Sequence, residues 1–201
     1  MIIGPKYKIC KRLGPSVFEK CQTKSFSMSA QRIADKGGKK RPGSDYNRQL
    51  IEKQKVRLTY SLTERQFSSY VMAALQSGEN PSQHLFASLE SRLDSIAYRM
   101  GLVTTRRAAR QLVAHGHLTV NGQRVTVPSY RVAVGDSIAI REGSRTNTMF
   151  EGIDERLKEH QPPTWLTRNT EALEATLTTA PAWGADASLA DFGAVFEYYT
   201  R

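Results

Sequence analysis

Within a few residues of Gly116 the apolar repeat changes from a helical period to strict alternation, and no single kind of secondary structure satisfies both sides of that change. On the C-terminal side, Leu118-Thr119-Val120 and Gln123-Arg124-Val125 flank Asn121-Gly122, a pair that tolerates two consecutive left-handed residues and so closes a two-residue hairpin. Gly135-Asp136 marks a second turn, after which Ser137-Ile138-Ala139-Ile140-Arg141 reads as a further strand. On the N-terminal side, Thr104 or Thr105 caps a short helix that runs to about His115 and is closed by Gly116. Before it, Leu85, Leu89, Leu93, Ile96, Ala97 and Met100 predict one helical stretch stopped by Gly101. Thr63-Glu64-Arg65-Gln66 has capping-box spacing and leads into Phe67, Tyr70, Val71, Ala74 and Leu75 on one helical face. Ser44 opens another helix with Tyr46, Leu50, Ile51 and Leu58 as its apolar stripe, flanked by Arg48 and Lys55 on one side and Lys53 and Arg57 on the other. Helices followed by a small antiparallel sheet give the class α+β.

The net charge of +10 over 201 residues is unevenly spread. Residues 1–60 hold 15 Lys and Arg against 4 acids, a net of +11, and residues 61–150 hold 10 Arg and no Lys against 6 acids, a net of +4. Residues 151–201 hold 4 basic and 9 acidic residues, a net of −5. Such a cationic front favours a polyanion; with no apolar run near the ~18 residues of a membrane span, nucleic acid is the expected partner and membrane is not.

Residues 1–43, punctuated by Gly14-Pro15, Gly37-Gly38 and Pro42-Gly43, read as a basic arm of irregular structure. Residues 44–90 read as a helical domain and 91–150 as an α/β module. At 151–170 an acidic helix around Ile153 and Leu157 runs into Pro162-Pro163, and 171–201 form an Ala- and Thr-rich tail. The end of that tail, Val195-Phe196-Glu197-Tyr198-Tyr199, is apolar enough to pack back on another part of the chain. Cys10 and Cys21 are too few for a four-ligand zinc site, and His84, His115, His117 and His160 lie far from them along the chain. No metal and no cofactor are expected.

The short helix at 104–115 carries the functional signal. Arg106, Arg107 and Arg110 fall on one face, with Ala108, Ala109 and Leu112 opposite. Three guanidiniums with no acid among them repel one another, and each suits bidentate contact with phosphate. The Asn121-Gly122 turn holds Arg124 and the following Arg131 on a rigid element, and Tyr130 can stack on a base. Lys53, Lys55, Arg57 and Arg99 add positive charge for phosphates.

The run Arg92-Leu93-Asp94, Tyr98-Arg99-Met100-Gly101, Thr105-Arg106, Ala109-Arg110-Gln111-Leu112-Val113, His115, Val120-Asn121-Gly122, Pro128-Ser129-Tyr130 and Gly135-Asp136 resembles the RNA-binding module named after small-subunit ribosomal protein four. Its flanks extend the resemblance to the bacterial family of that protein over nearly the whole chain. They are Gly4-Pro5-Lys6, Arg12-Leu13-Gly14, Ser44-Asp45-Tyr46, Gln49-Leu50, Glu52-Lys53-Gln54-Lys55-Val56-Arg57, Glu64-Arg65-Gln66-Phe67, Pro163-Thr164-Trp165-Leu166 and Glu197-Tyr198-Tyr199-Thr200-Arg201. The resemblance implies a helical domain completed by the C-terminal tail, with the α/β module inserted and an extended basic arm in front. It implies a non-enzymatic, cytoplasmic ribosomal protein, one copy per small subunit, that binds the 5′ domain of the rRNA, nucleates the subunit body and affects decoding accuracy. Its neighbours are implied to be small-subunit proteins three and five, with mRNA contacts at Lys39, Lys40 and Arg41. By the same resemblance Arg12, Tyr46, Gln49, Arg92, Thr105, His115 and Asn121 join the rRNA-binding residues already named.

Two other readings share the module. An RNA-modifying enzyme of the pseudouridine synthase kind carries its catalytic aspartate in a tripeptide like Arg92-Leu93-Asp94; here Asp94 lies at the module's own start, with only about 60 residues after Arg141. A heat-shock RNA binder would not need the helices between Ser44 and Leu75.

Overall fold

The computed structural model describes residues 3–36, 44–78, 80–170, 172–182 and 190–201. They form two compact units, one of the described residues up to Leu85 with those from 190 onward, the other from Phe86 to Ala182.

The first unit contains α1 (Lys6–Leu13), α2 (Lys24–Lys36), α3 (Asp45–Thr59), α4 (Glu64–Gln76), the start of α5 (Pro81–Glu90) and α9 (Phe192–Thr200). Its N-terminal part is not the extended arm expected. Cys10 and Leu13 of α1, Val17 and Phe18 in the turns that follow, Cys21, and Phe26 of α2 are buried in one cluster with Leu58 of α3. Apolar residues scattered among lysines reach a common core once tight turns fold them over, and each such burial contributes about 1.5–3 kcal/mol. The thiols of Cys10 and Cys21 lie in that cluster, and burial, with the adjacent Cys21, pushes Cys10 up to about 12.

The capping box forms, with Thr63 and Gln66 exchanging bonds, and Phe67, Val71 and Ala74 face inward. On α3 the buried residues are Gln49, Lys53, Val56 and Leu58, with Tyr60 buried at its C-cap; of the expected stripe Leu58 is buried, whereas Tyr46 is exposed and Leu50 and Ile51 are half-buried. The reason is α9: it buries Phe192, Ala194 and Val195, but toward α3 it also brings Glu197 and the rings of Tyr198 and Tyr199. Gln49 Nε2 donates to Glu197 at 2.9 Å, and Lys53 Nζ donates to Glu64 at 2.8 Å while lying 4.4 Å from the centre of the Tyr198 ring. The Tyr199 hydroxyl donates to the same Glu64 oxygen at 2.6 Å. The end of the chain thus packs back on the helical unit.

The second unit contains the rest of α5, then α6 (Leu93–Arg99), α7 (Arg106–Ala114), β1 (Leu118–Val120), β2 (Gln123–Arg124), β3 (Ser137–Ile140), α8 (Ile153–Glu159), β4 (Leu166–Asn169) and β5 (Glu174–Leu177). The strands form one antiparallel sheet in the order β2-β1-β3-β5-β4. Leu93, Ile96, Leu112, Leu118, Ile138, Ile140, Leu166 and Leu177 share its core. Asn121 and Gly122 adopt φ of 50° and 80°, as the two-residue hairpin requires, with Val120 paired to Gln123.

Two features differ from expectation. The helical stretch from Leu85 to Met100 is broken at Ser91-Arg92: Arg92 is extended and bridges Arg131, and Val132 N donates to Ser91 O at 2.9 Å. The apolar spacing continues through the break and conceals it. Residues 172–177 do not complete the helical domain; they contribute β5, which pairs with β3 and with β4. The turn between β4 and β5 has Leu173 at a φ of 54°, a conformation a leucine does not advertise. On β4, Arg168 donates to the carbonyls of Met100, Leu157 and His160 at 2.8, 2.6 and 3.0 Å, closing the ends of α6 and α8.

Burial pushes Glu64 upward, but the bonds from Lys53 and Tyr199 and the charges of Lys53 and Arg57 outweigh it and hold the carboxyl below its ordinary value. A carboxyl depressed in the folded state stabilises fully above its unfolded pKa of about 4.3 and loses that contribution as pH falls through the folded value. Melting curves of the wild type should therefore lose stability more steeply below about pH 4 than those of Glu64→Gln. Identical acid slopes would count against the Lys53–Glu64–Tyr199 link.

Candidate nucleic-acid interface

Thr105 caps α7, its Oγ1 accepting from Ala108 N at 3.1 Å, and Ala109, Leu112 and Val113 turn into the core. The three arginines of this helix do not share one outward face. Arg106 is 7% exposed; it donates to Glu90 Oε1 at 2.9 Å and to Ser95 Oγ at 3.3 Å, and its guanidinium lies 4.7 Å from the Tyr98 ring centre. Arg99 donates through Nε and Nη2 to both oxygens of the same Glu90, at 3.0 and 2.9 Å. Arg92 is 1% exposed and grips Asp94 through Nε and Nη2 at 3.0 and 2.7 Å. The acids that α7 lacks come from the end of α5 and the start of α6, so Arg92, Arg99 and Arg106 serve the fold as countercharges. Arg107 is exposed, and Arg110, one turn on, has 37% of its side chain exposed and a nitrogen 3.5 Å from Asp94.

The start of α6 brings other predicted residues toward Arg110. Leu93 N donates to Tyr130 O at 2.9 Å and Asp94 N to Pro128 O at 3.2 Å, which fixes the Tyr130-Arg131 segment beside Asp94. The Tyr130 ring is 39% exposed and Arg131 is exposed. Val127 and Val134, which sequence reasoning did not single out, are exposed on the same segment. Nothing marks them beforehand, because an alternating valine reads as core.

At the far end of α7, His115 is exposed and Arg124 Nη2 donates to its carbonyl at 3.1 Å. Gly116 has a φ of +74°, the conformation that favours glycine, and the Arg124 guanidinium lies over it where a Cβ would push that side chain aside. Asn121 is occupied within the fold: Nδ2 donates to Asp136 at 2.8 Å and Oδ1 accepts from Ser137 N at 2.9 Å.

In the first unit, Arg12 is exposed and Arg57 half-buried on the wall of a cavity of about 280 Å³, whose other lining is Ile3, Gly4, Ile9, Leu13, Gln54 and Leu58. Tyr46 packs on Tyr198 with ring centres 5.7 Å apart, and Lys55 pairs with Glu52 at 2.5 Å. Gln49 and Lys53 are interior groups bound to α9 and α4. Lys39, Lys40 and Arg41 lie outside the described residues. Among the described residues, no group of three or more His, Cys, Asp or Glu could hold a metal ion, and no helix is long and apolar enough to cross a membrane.

What remains outward in the second unit is a set of cationic residues with an exposed aromatic ring: Arg107, Arg110, Tyr130 and Arg131 near the start of α6, and His115 and Arg124 at the end of α7. In the first unit, taken by itself, Arg12 is exposed. Guanidiniums on packed elements can neutralise phosphates without reorganising first.

Residues 1–90 match the family described as the ribosomal protein S4/S9 N-terminal domain, and residues 91–138 match the S4 domain. The chain is 40% identical over 185 residues to a protein of Roseiflexus sp. strain RS-1, covering 89% of this chain and 88% of the relative. It is 39% identical over 184 residues to one of Acetivibrio thermocellus, with the same coverage, and 38% identical over 203 residues to one of Polaromonas naphthalenivorans, covering 99% and 98%. Each relative is called small ribosomal subunit protein uS4.

The burial of Glu90 gives a contrast that chemical denaturation can read. Glu90→Ala leaves Arg99 and Arg106 without their shared carboxylate and should cost about 3–5 kcal/mol. Arg107→Ala should change stability by about 0.5 kcal/mol or less. Equal losses would show that the Glu90 cluster does not hold the module.

Proposed function

The chain belongs to the uS4 family of small-ribosomal-subunit proteins, and on that footing we propose that it binds small-subunit rRNA directly through the outward arginines of its two units. Like its family, it is a structural constituent of the small ribosomal subunit and not an enzyme. The observation that carries the RNA reading is the division among the arginines: Arg92, Arg99 and Arg106 answer buried acids, while Arg107, Arg124 and Arg131 are exposed with positive charge in excess. Phosphate neutralisation is what such a surface does, and recognition is of the shape of a junction where backbones converge more than of base sequence. Tyr130 adds a ring on which an unpaired base can stack.

The finer proposals follow from the family resemblance. The chain binds the 5′ domain of the rRNA early, nucleates the body of the subunit in the cytoplasm, and enters it as a monomer beside small-subunit proteins three and five. Lys39, Lys40 and Arg41 face mRNA at the entry channel, and through that region the protein contributes to accuracy. The folded N-terminal cluster of Cys10, Leu13, Phe18 and Phe26 supports docking as a preformed element, with Arg12 and Arg57 directed at phosphates.

The enzyme reading loses its main support at Asp94. Its carboxylate is buried, gripped by Arg92 and approached by Arg110, so it has neither access to a base nor freedom to attack one.

A binding titration of the chain against a 5′-domain rRNA transcript, repeated at several salt concentrations, tests the reading. Log K should fall with log salt by about 0.7–0.9 per phosphate neutralised. Replacing Arg107 and Arg131 together by Ala should weaken binding and flatten that slope by about one unit per side chain, while the melting curve stays near wild type. Arg106 and Arg110 are left out of the set because their loss strips Glu90 and Asp94 of a partner. Unchanged affinity in the double variant would remove these two residues from the interface.

A further inference from the structure

Two side chains of the second unit that the sequence reading does not single out sit together. His117 precedes β1 and Arg141 follows β3, and both reach the buried hydroxyl of Ser144. Arg141 Nε donates to Ser144 Oγ at 3.3 Å, and His117 Nδ1 lies 3.0 Å from the same oxygen. The backbone closes the same corner, Arg141 N donating to His117 O at 2.9 Å.

Everything charged that acts on His117 is positive. His115, at the end of α7, has its ring centre 6.0 Å from that of His117; Arg124 comes from β2, fixed on the His115 carbonyl; Arg141 comes from the end of β3. Phe150 closes the remaining side edge-on at 6.2 Å. Burial first, then the charges of His115, Arg141 and Arg124, holds His117 below the ordinary histidine value. Glu142, next to Arg141, is exposed and is not among those charges. The arrangement contrasts with the other arginine clusters of this unit, where Glu90 and Asp94 supply the anion. Here four cationic or protonatable groups from three elements converge, and the anion that would balance them comes from outside the described fold.

We infer that His115, His117, Arg124 and Arg141 form one phosphate-binding site, and that an RNA backbone phosphate seated there is bound with uptake of a proton by the histidine pair. This rests on the RNA reading above and adds to it a second contact point, past the C-terminal end of α7. The phosphate supplies a negative charge that opposes the burial and the neighbouring positive charges holding His117 low, so the imidazolium becomes more favourable once the ligand is in place. Linkage fixes the sign. Affinity falls with rising pH between the histidine's free and bound pKa values, by up to tenfold per pH unit for one proton, and is flat above and below that window.

Calorimetry of the wild-type chain binding a 5′-domain rRNA transcript near pH 7, in two buffers of different ionisation enthalpy, counts the protons directly. The expected result is net uptake, up to one proton per histidine, with affinity rising from pH 8 to pH 6. His117→Gln should bind with reduced uptake, and Arg141→Gln should bind several-fold more weakly at fixed pH. No uptake by the wild type overturns the inference whatever the variants do, and so does undiminished uptake in a folded His117→Gln. RNA binding that is pH-independent but still sensitive to Arg107 and Arg131 would leave the proposed function standing and this site refuted. Absence of RNA binding altogether would refute both.

Discussion

Glu90 has no surface open to water, and a carboxylate cut off from solvent is tolerated only where charge and hydrogen bonds come to meet it. Arg99 and Arg106 do so from α6 and α7, across 9 and 16 residues of chain. Four residues beyond Glu90, Asp94 makes the same demand of Arg92 and Arg110. Two acids therefore set where α7 lies against α6, and through α7 where its outward residues point. An apolar replacement of equal volume would hold these helices as tightly or more so. Ala109, Leu112 and Val113 turn one face of α7 inward, and the ion pairs of Arg106 and Arg110 join that face, so the outward residues inherit their geometry from both.

The first unit uses the same device in a milder form. Lys53 is buried between Glu64 and the Tyr198 ring, and the Tyr199 hydroxyl completes the carboxylate. Because α9 offers polar groups, α3 answers with Gln49 and Lys53 where an amphipathic helix would carry leucine. An apolar-stripe argument cannot see such a face: hydropathy scores a buried lysine as solvent-facing, and only the partner helix reveals otherwise.

What could be read in advance follows the same division between local and distant causes. The capping box at Thr63, the Asn121-Gly122 hairpin, the alternation of β3 and the return of the C-terminal residues to the helical unit depend on short patterns, and they were legible. The break at Ser91-Arg92 arises from pairing with a segment some 40 residues on, the β4–β5 hairpin from an unadvertised left-handed leucine, and the N-terminal cluster from apolar residues diluted by lysines. Among candidate site residues, sequence reasoning singled out the arginines as a group without separating those that face water from those that face Glu90 or Asp94. The signal was present in part. Three arginines on a short helix without an acid require an anion, and Glu90 and Asp94, spaced by four, were the nearest candidates in the chain.

Arg168 has a consequence for the order in which the molecule can be completed. Its guanidinium holds three carbonyls at the ends of helices that precede it by as many as 68 residues, and the sheet edge at β3 waits for β5, later still. The helical unit, for its part, is closed by α9, which follows the whole of the second unit in the chain. During vectorial synthesis neither unit can reach its final packing until its late segment has left the exit tunnel, so a nascent chain still lacking β5 carries frayed helix ends and an open strand. A fold arranged in this way withholds the finished surface of the second unit until β4 and β5 have been made.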